Sequence, residues 1–267
     1  ISLAFLSRKS SCLNKGFTGS SVNITQSKQQ AILVNNSSFQ NQNQSIKTVF
    51  ITGGTGVMGQ STLNEFVKHL DKFKIKLLLL PSRQNRRIIQ QYLKKYGEDH
   101  FEIVWGDFNN YNDVYKGVEN SDYVLHIGGL VSPIADIYPY LTQKTNINAA
   151  RYIVRSLLEQ KRRDTVKVCF IGSVAETGNR NYPVHWGRTG DPIKVSIYDH
   201  YGLSKVIAER IFVESGIKSW VVLRQTGILH PKLFSHIDPI MFNTPLNTGI
   251  EWVTVEDSGR LMLNLVL

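Results

Sequence analysis

Residues 47–59 read KTVFITGGTGVMG, in which an apolar, partly β-branched run is followed at once by closely spaced glycines. The run predicts a buried strand, and the glycines predict a tight turn that opens a helix. The first glycine permits the sharp turn, the second lets backbone approach a pyrophosphate, and the third lets the helix pack on the sheet. The helix N-terminus adds N–H groups and a positive dipole end. The stretch predicts a dinucleotide-binding turn, and the alternative is a strand–helix turn with no ligand.

The same succession of strand and helix recurs along the chain. Strands are predicted at 47–52, 75–80, 101–105, 122–127, 166–171 and 218–224, and helices at 57–70, 84–96, 137–160 and 200–214. Short strands that alternate with helices indicate βαβ units, which build a parallel sheet covered by helices on both faces. Right-handed crossovers then give a Rossmann-type, doubly wound α/β fold whose ligands bind at the carboxyl ends of the strands.

The pattern divides the chain into three segments. Residues 1–46 are rich in Ser, Asn and Gln and have no strand or helix periodicity, so we predict a disordered or leader-like segment. Residues 47–225 form the predicted NAD(P)-binding domain. Residues 226–267 are interrupted by Pro and Gly, with a short strand near 251–255 and a helix from Glu256, and we predict a small, partial substrate-binding region. The start at Ile1 and the uncapped apolar end predict a truncated chain.

Charge is concentrated at the beginning of the chain. The 267 residues carry a formal net charge of +10, and the first acidic residue is Glu65. The Ser-rich, acid-free leader favours a low-complexity extension or an organelle-targeting leader on a cytoplasmic protein. No basic stripe is interleaved with aromatic residues, so a nucleic-acid partner is not predicted, and an RNA-binding interpretation rests on net charge alone. No apolar stretch approaches the roughly 20 residues that span a bilayer, so no membrane partner is predicted.

The cysteine and histidine content argues against disulfides and metals. Cys12 lies in the leader and Cys169 in a predicted buried strand, so no disulfide framework is expected and a reducing compartment is favoured. No His or Cys cluster has the spacing of zinc ligands, and we predict no metal site. We expect His126, at a strand end, to be structural.

A second constellation carries the candidate chemistry. Tyr201 and Lys205 are four residues apart on a predicted helix, so they share one face. A nearby ammonium favours the phenolate and lowers the phenol pKa from about 10, so the pair can move a proton at an alcohol or carbonyl oxygen. Ser173 follows the strand at 166–171, where its hydroxyl can hydrogen-bond a substrate oxygen. Each feature alone also fits an exposed helix face or an ordinary turn serine, and their order after the glycine turn favours catalysis.

On these residues, the chain resembles the extended short-chain dehydrogenases/reductases, within the NAD-dependent epimerase/dehydratase group. The resemblance covers about residues 47–265, and Thr52 to Gly59 match the family's Thr-Gly-x-x-Gly-x-x-Gly. It implies hydride transfer by an NAD(P)-dependent oxidoreductase, epimerase or dehydratase on a hydroxyl or carbonyl substrate such as a sugar nucleotide. It further implies that Tyr201 is the acid/base, that Lys205 lowers its pKa and holds the nicotinamide ribose, and that Ser173 orients the substrate. Asn146 matches the asparagine of a proton relay.

The motifs and the resemblance together indicate the cofactor-contacting residues. They are Gly53, Gly54, Thr55, Gly56, Val57, Met58, Gly59, Ser82, Arg83, Asp107, Gly128, Gly129, Tyr201, Lys205, Thr226 and Gly227. Gln225 stands where the family usually has Pro or an aromatic residue, which is a departure beside the nicotinamide.

The end of the second strand predicts the form of the cofactor. NAD-preferring sites place Asp or Glu there, on the ribose 2′-hydroxyl. Here the strand is followed by Pro81-Ser82-Arg83, with no carboxylate. Arg83, helped by Ser82 and by Arg86 or Arg87, suits a 2′-phosphate, so we predict NADP as preferred over NAD. The alternative is that these arginines are the solvated start of a helix.

The predicted substrate contacts lie in the loop at 174–199. His185, Trp186 and Arg188 can grip a phosphate or stack on a ring, and loop packing is an equal alternative. We expect a small-molecule substrate, and the resemblance implies a homodimer built on the two long helices. The rival function is a non-catalytic NAD(P)-binding regulator, which the presence of both Tyr201 and Lys205 disfavours.

Overall fold

Seven strands form the main sheet of the computed structural model, in the order β1-β7-β6-β5-β2-β3-β4. The structure describes residues 4–7, 45–178, 192–231, 233 and 251–267. The strands are β1 Ala4–Ser7, β2 Lys47–Thr52, β3 Phe73–Leu79, β4 Phe101–Trp105, β5 Tyr123–His126, β6 Lys167–Ser173 and β7 Ser219–Gln225. Strands β2 to β7 are parallel, and β1 lies antiparallel to β7. This is the predicted Rossmann-type α/β sheet, whose order reverses between β2 and β5.

Helices cover both faces of this sheet. They are α1 Val57–Phe66, α2 Arg83–Tyr96, α3 Tyr111–Val118, α4 Ile134–Ile137, α5 Pro139–Glu159, α6 His200–Val213 and α7 Val255–Asn264. Three short 3₁₀ turns follow α1, precede β4 and follow β6, at Val67–His69, Glu98–His100 and Val174–Thr177. A separate parallel pair joins β8 Gly227–Leu229 to β9 Trp252–Thr254.

Alternation along the strands divides the core into two layers. Val49 and Ile51 of β2 pack with side chains of α1, α2 and α7, whereas Phe50 between them packs with side chains of α3, α5 and α6. Full burial of such a side chain contributes about 1.5–3 kcal/mol. The two apolar layers hold the strand ends, and the loops that follow them, in fixed positions.

The predicted elements agree closely with the structure. The bounds of β2 and β4 are confirmed to the residue, and the other four parallel strands differ by at most two residues at either end. Helix α3 was not predicted: its apolar residues do recur at helical spacing, but its eight residues are too few for periodicity to identify a helix by itself. The strand β1 lies in the segment predicted to lack regular structure. The open edge of β7 supplies its backbone partners, and such a partner leaves no trace in the strand's own sequence.

Candidate active site

The glycine turn sits where β2 meets the end of β5. Gly53 has φ of 71°, and a Cβ there would lie 2.6 Å from the Cα of Gly128. The backbone N–H of Gly128 donates to Thr52 Oγ1 at 3.1 Å, which ties the two strand ends together. Both the left-handed conformation and the close approach require glycine at this position.

Helix α1 begins directly at this turn. Gly56 is its N-cap, without a side-chain capping bond, and Val57 and Met58 start a first turn that has no acidic residue. A Cβ on Gly59 would overlap the carbonyl oxygen of Gly53, so the helix lies against the turn. An uncapped helix start of this kind offers N–H groups and a positive dipole end to an anion.

The neighbouring start of α2 is tied to the same turn. Thr55 Oγ1 donates to Asn85 Oδ1 at 2.8 Å, and Ser82 Oγ caps α2 by accepting from the Asn85 backbone N–H at 3.1 Å. Arg83 is the exposed first residue of the helix. The guanidinium of Arg86 lies over the Trp105 ring, 4.4 Å from its centroid. Arg83 and Arg86 therefore differ in surroundings, because only Arg86 has an aromatic face against it among these described contacts.

Asp107 and Gly129 line two further loops at this edge. The Asp107 carboxylate accepts from the Asn109 backbone N–H at 2.8 Å, which shapes the turn after β4. A Cβ on Gly129 would lie 3.0 Å from Asn146 Oδ1 and 3.5 Å from Lys205 Nζ. The backbone after β5 thus runs directly from the glycine turn to the candidate catalytic residues.

The structure brings Ser173, Tyr201 and Lys205 together. Ser173 ends β6 and is 7% exposed, while Tyr201 and Lys205 lie one turn apart on α6. Lys205 Nζ lies 5.9 Å from the centroid of the Tyr201 ring. The three side chains are thus adjacent, as the order of the motifs predicted.

Burial dominates the protonation of this group. It raises the pKa of Tyr201 to about 12, against a hydrogen bond with the Ser173 side chain that lowers it. Burial lowers the pKa of Lys205 to about 8, and the Lys205 ammonium donates to the backbone oxygen of Ile171 at 2.8 Å. The predicted lowering of the Tyr201 pKa is therefore not what this structure gives, because loss of hydration outweighs the Ser173 hydrogen bond.

Asn146 acts as an anchor between three elements. From α5, its Nδ2 donates to Leu130 O at 3.0 Å and to Ser204 Oγ at 2.9 Å, and its Oδ1 accepts from the Leu130 N–H at 2.8 Å. These bonds hold the loop after β5 against α5 and α6. They place Asn146 beside the Tyr–Lys pair, where the resemblance implied it.

Of the remaining residues singled out from the sequence, some are described by the structure and others are not. His126 is buried, its Nδ1 lies 2.7 Å from Thr52 Oγ1, and burial lowers its pKa to about 3, so it is a neutral core residue as expected. Thr226 Oγ1 donates to Glu251 O at 2.6 Å, and Gly227 begins β8. The candidate substrate residues His185, Trp186 and Arg188 lie outside the described residues.

Comparison with known proteins decides the family. The model of the NAD dependent epimerase/dehydratase family matches residues 49–223, two thirds of the chain. The chain belongs to this family. Within the described residues of this family member, no helix is long and apolar enough to cross a membrane, and no group of three His, Cys, Asp or Glu side chains is arranged for a metal ion.

Its curated relatives are longer proteins. The UDP-glucose 4-epimerase of Rickettsia bellii (strain OSU 85-389) is 28% identical over 169 residues, which cover 62% of this chain and 43% of that protein. The UDP-glucose 4-epimerase of Rickettsia conorii is 25% identical over 228 residues, which cover 82% and 60%. The chain thus spans less than two thirds of the length of these relatives.

Several solved structures share the fold. Pen from Bacillus thuringiensis has a TM-score of 0.63 at 22% identity, covering 83% of this chain and 66% of that one. The UDP-Glc/GlcNAc 4-epimerase of Campylobacter jejuni has a TM-score of 0.64 at 17% identity, covering 81% and 73%. Bordetella bronchiseptica WbmH, in complex with NAD+, has a TM-score of 0.61 at 15% identity, covering 82% and 72%.

One group of buried residues in this epimerase/dehydratase family member was not predicted. Glu176, Glu209 and Arg224 form an ionisable cluster directly behind Ser173. The available signal was the Ser-x-x-Glu spacing of residues 173 and 176, which is that of a capping box. The contacts with Glu209 and Arg224 join distant parts of the sequence and needed the fold to appear.

Proposed function

We propose that this protein is an NAD(P)-dependent epimerase or dehydratase that acts by hydride transfer on a hydroxyl or carbonyl group of a sugar nucleotide. The observation that carries the proposal is the convergence of Ser173, Tyr201 and Lys205 beside the glycine turn. The family membership supports the reaction class, and the names of the curated relatives, UDP-glucose 4-epimerases, support a sugar nucleotide as substrate.

The residues present fit a dinucleotide. Glycine is required at Gly53, where the turn passes within contact of Gly128, and the start of α1 has neither a capping side chain nor an acidic residue. This leaves backbone N–H groups for the phosphates of the cofactor. The backbone at Gly129 runs past Asn146 and Lys205, and Lys205 would hold the nicotinamide ribose. When bound, the nicotinamide supplies hydride transfer at the sugar carbon.

In this proposal, the side chains of Ser173 and Tyr201 contact the sugar oxygen. The Ser173 hydroxyl orients it, and Tyr201 holds or takes the proton at this atom. With its pKa raised to about 12, Tyr201 is a neutral phenol at neutral pH and is ready to donate a hydrogen bond. For Tyr201 to act as a base, the positive charge of Lys205 must stabilise the phenolate. Its pKa of about 8 leaves Lys205 largely charged at neutral pH.

NADP is the preferred cofactor in this proposal. The family description names NAD, and the choice between the two forms depends on the start of α2. No carboxylate follows β3, and the exposed Arg83 begins the helix whose cap is linked to the glycine turn through Asn85. A guanidinium at this point suits a 2′-phosphate better than a bare hydroxyl.

A homodimer is the proposed assembly. Tyr140 and Leu141 at the start of α5 are 79% and 47% exposed, and Ile207 on α6 is 38% exposed. These are large apolar side chains on the two long helices. Burying them against a second copy would remove apolar area from water, the main favourable term in most protein association.

The test combines cofactor binding with product analysis. The purified chain is titrated with NADPH and with NADH, and UDP-glucose is then incubated with oxidised cofactor, in the presence and absence of added reduced cofactor. We expect saturable binding and a changed sugar, without net consumption of cofactor if the reaction is an epimerisation or dehydration. Binding without turnover of any sugar nucleotide, unaffected by Tyr201→Phe, would favour a regulator. An absence of both binding and turnover would contradict the proposal.

A further inference from the structure

Three ionisable side chains are buried beneath the candidate catalytic residues. Glu176 is 0% exposed, and Glu209 and Arg224 are each 4% exposed. Glu176 lies in the 3₁₀ turn after β6, Glu209 on α6 and Arg224 on β7. Charged groups rarely occur fully buried unless they are paired, so this cluster requires a physical explanation.

The contacts assign different partners to the two carboxyl groups. Arg224 donates to Glu209 through Nε at 2.9 Å and Nη2 at 2.6 Å, in the bidentate geometry of a strong ion pair. Glu176 Oε1 instead accepts from the backbone N–H of Ser173 at 2.6 Å, and its Oε2 lies 3.4 Å from Arg224 Nε. Glu176 is therefore held between Ser173 and the Arg224–Glu209 pair.

One guanidinium cannot neutralise two buried carboxylates. Burial, together with the neighbouring Glu209 carboxylate, raises the pKa of Glu176 to about 9. For Glu209, burial acts in the opposite sense to the hydrogen bonds of Arg224, and its pKa is lowered overall. Since Arg224 forms its bidentate pair with Glu209 and lies farther from Glu176, Glu176 is the acid and Glu209 the carboxylate at neutral pH.

The surroundings connect this proton to the reaction. Among the described residues, the titratable and charged groups that face Glu176 are Arg224 on β7 and Tyr201, Lys205 and Glu209 on α6. A negative charge on Glu176 raises the pKa of both Tyr201 and Lys205. When Glu176 is protonated, the only negative charge among these groups at neutral pH is that of Glu209, which is paired with Arg224.

We propose that Glu176 is a positioning residue that, as a neutral carboxylic acid, fixes Ser173 for the substrate oxygen and keeps a second negative charge away from Tyr201 and Lys205. The positioning role rests on the proposed function, because it requires Ser173 to contact the sugar. A capping role alone needs only an acceptor for the Ser173 N–H and would not need an acid that is completely buried beside Arg224.

Two substitutions separate shape from charge. In Glu176→Gln, the amide oxygen can accept from the Ser173 N–H, and the side chain stays uncharged, as in the acid. In Glu176→Leu, the Ser173 N–H and Arg224 lose this partner. Glu214→Gln is the control, since Glu214 is exposed at the C-terminal end of α6, where it forms an ion pair with the exposed Arg210.

The kinetic arm measures kcat and KM for a sugar nucleotide. We expect E176Q and E214Q to stay within about threefold of the wild type, and E176L to lose about 10- to 100-fold in kcat with little change in KM. A fully active E176L, or an E176Q as impaired as a folded E176L, would overturn the positioning role.

The stability arm needs no activity and compares the Tm of wild type and E176Q between pH 5 and pH 9. The folded protein keeps the Glu176 proton up to about pH 9, whereas the unfolded chain releases it near the ordinary value of 4.5. The wild type therefore loses stability as pH rises through this window, and glutamine has no such proton to lose. We expect the Tm of E176Q, relative to that of the wild type, to be higher at pH 9 than at pH 5 by roughly 5 °C or more.

The two arms fail differently. Parallel Tm curves for E176Q and wild type overturn the assignment of a buried neutral acid, whatever the activity. If the wild type neither binds cofactor nor converts any sugar nucleotide, the proposed function fails by that result. Diverging Tm curves would then still support the buried acid, and its role in positioning a substrate would fall with the proposed function.

Discussion

At the carboxyl edge of the sheet, the candidate cofactor site and the candidate catalytic site are formed by different kinds of chemical group. Around β2 and α1, the candidate cofactor site consists of backbone: Gly53 approaches Gly128, and α1 begins without a charged or capping side chain. Around β6, β7 and α6, the candidate catalytic site consists of ionisable side chains, among them the buried Lys205 and Glu176 and the half-buried Tyr201. One half is suited to hold an anion by geometry, and the other to move a proton by shifted pKa values.

The difference predicts that the two halves can be damaged separately. Replacing Tyr201 by Phe removes the proton-transferring hydroxyl and leaves the glycine turn intact. We expect turnover to fall by more than about 1,000-fold, while NAD(P)H binding stays within about threefold. Steady-state kinetics and cofactor fluorescence measure the two effects. An equal loss of binding and turnover would show that the halves are not independent.

The converse substitution is Gly53→Ala. Alanine is strained at φ of 71°, and its Cβ would collide with the backbone of Gly128. We expect cofactor binding to be lost and the free energy of unfolding to fall by about 1–3 kcal/mol. Gly216 is the matched control, since it has φ of 75° but nothing within 4 Å of an added Cβ. If Gly216→Ala abolishes binding as well, close approach at the turn is not the cause.

A smaller effect should distinguish the two cofactor forms. Replacing Arg83 by Ala removes the cation proposed to pair with a 2′-phosphate. We expect the Kd for NADPH to rise about 10- to 100-fold and that for NADH to stay nearly constant. Arg210→Ala is a control on another exposed helix face. Equal effects of Arg83→Ala on both cofactors would refute the proposed preference.

The smallest expected effect on the site concerns assembly. Tyr140→Lys places a charge on the exposed start of α5, where the proposed dimer buries apolar area. We expect the mass in solution, measured by light scattering, to change from two chains to one, with cofactor binding unchanged. A wild-type protein that is monomeric at high concentration would contradict the dimer.

How far the sequence could predict this molecule follows the same division. The glycine turn was predictable because its residues are adjacent in sequence and each glycine has a local steric reason. Ser173, Tyr201 and Lys205 were predictable as a set, since strand and helix periodicity place them at one edge. Their pKa values were not, because burial depends on packing from elements far away in the chain.

The Glu176 cluster shows where sequence reasoning ended. Residues 176, 209 and 224 lie on three elements, and each looks like an ordinary charged residue in its own segment. Their meeting depends on the parallel pairing of β6 with β7 and on the packing of α6 behind them. Asn146 is similar: the resemblance implied its position, but its bonds to Leu130 and Ser204 follow from tertiary structure.

The bond between Lys205 and the Ile171 carbonyl has a mechanical consequence. Apolar residues occur on several sides of α6, with Phe212 buried and Ile207 partly exposed. Apolar contacts alone therefore define the rotation of this helix about its axis poorly. Lys205 is hydrogen-bonded to β6 and Ser204 to Asn146, so two adjacent residues of the helix are bound to different elements. If α6 shifted by one residue, it would rotate by about 100° and carry the Tyr201 phenol away from Ser173. These two hydrogen bonds therefore fix the rotation of the whole helix about its own axis.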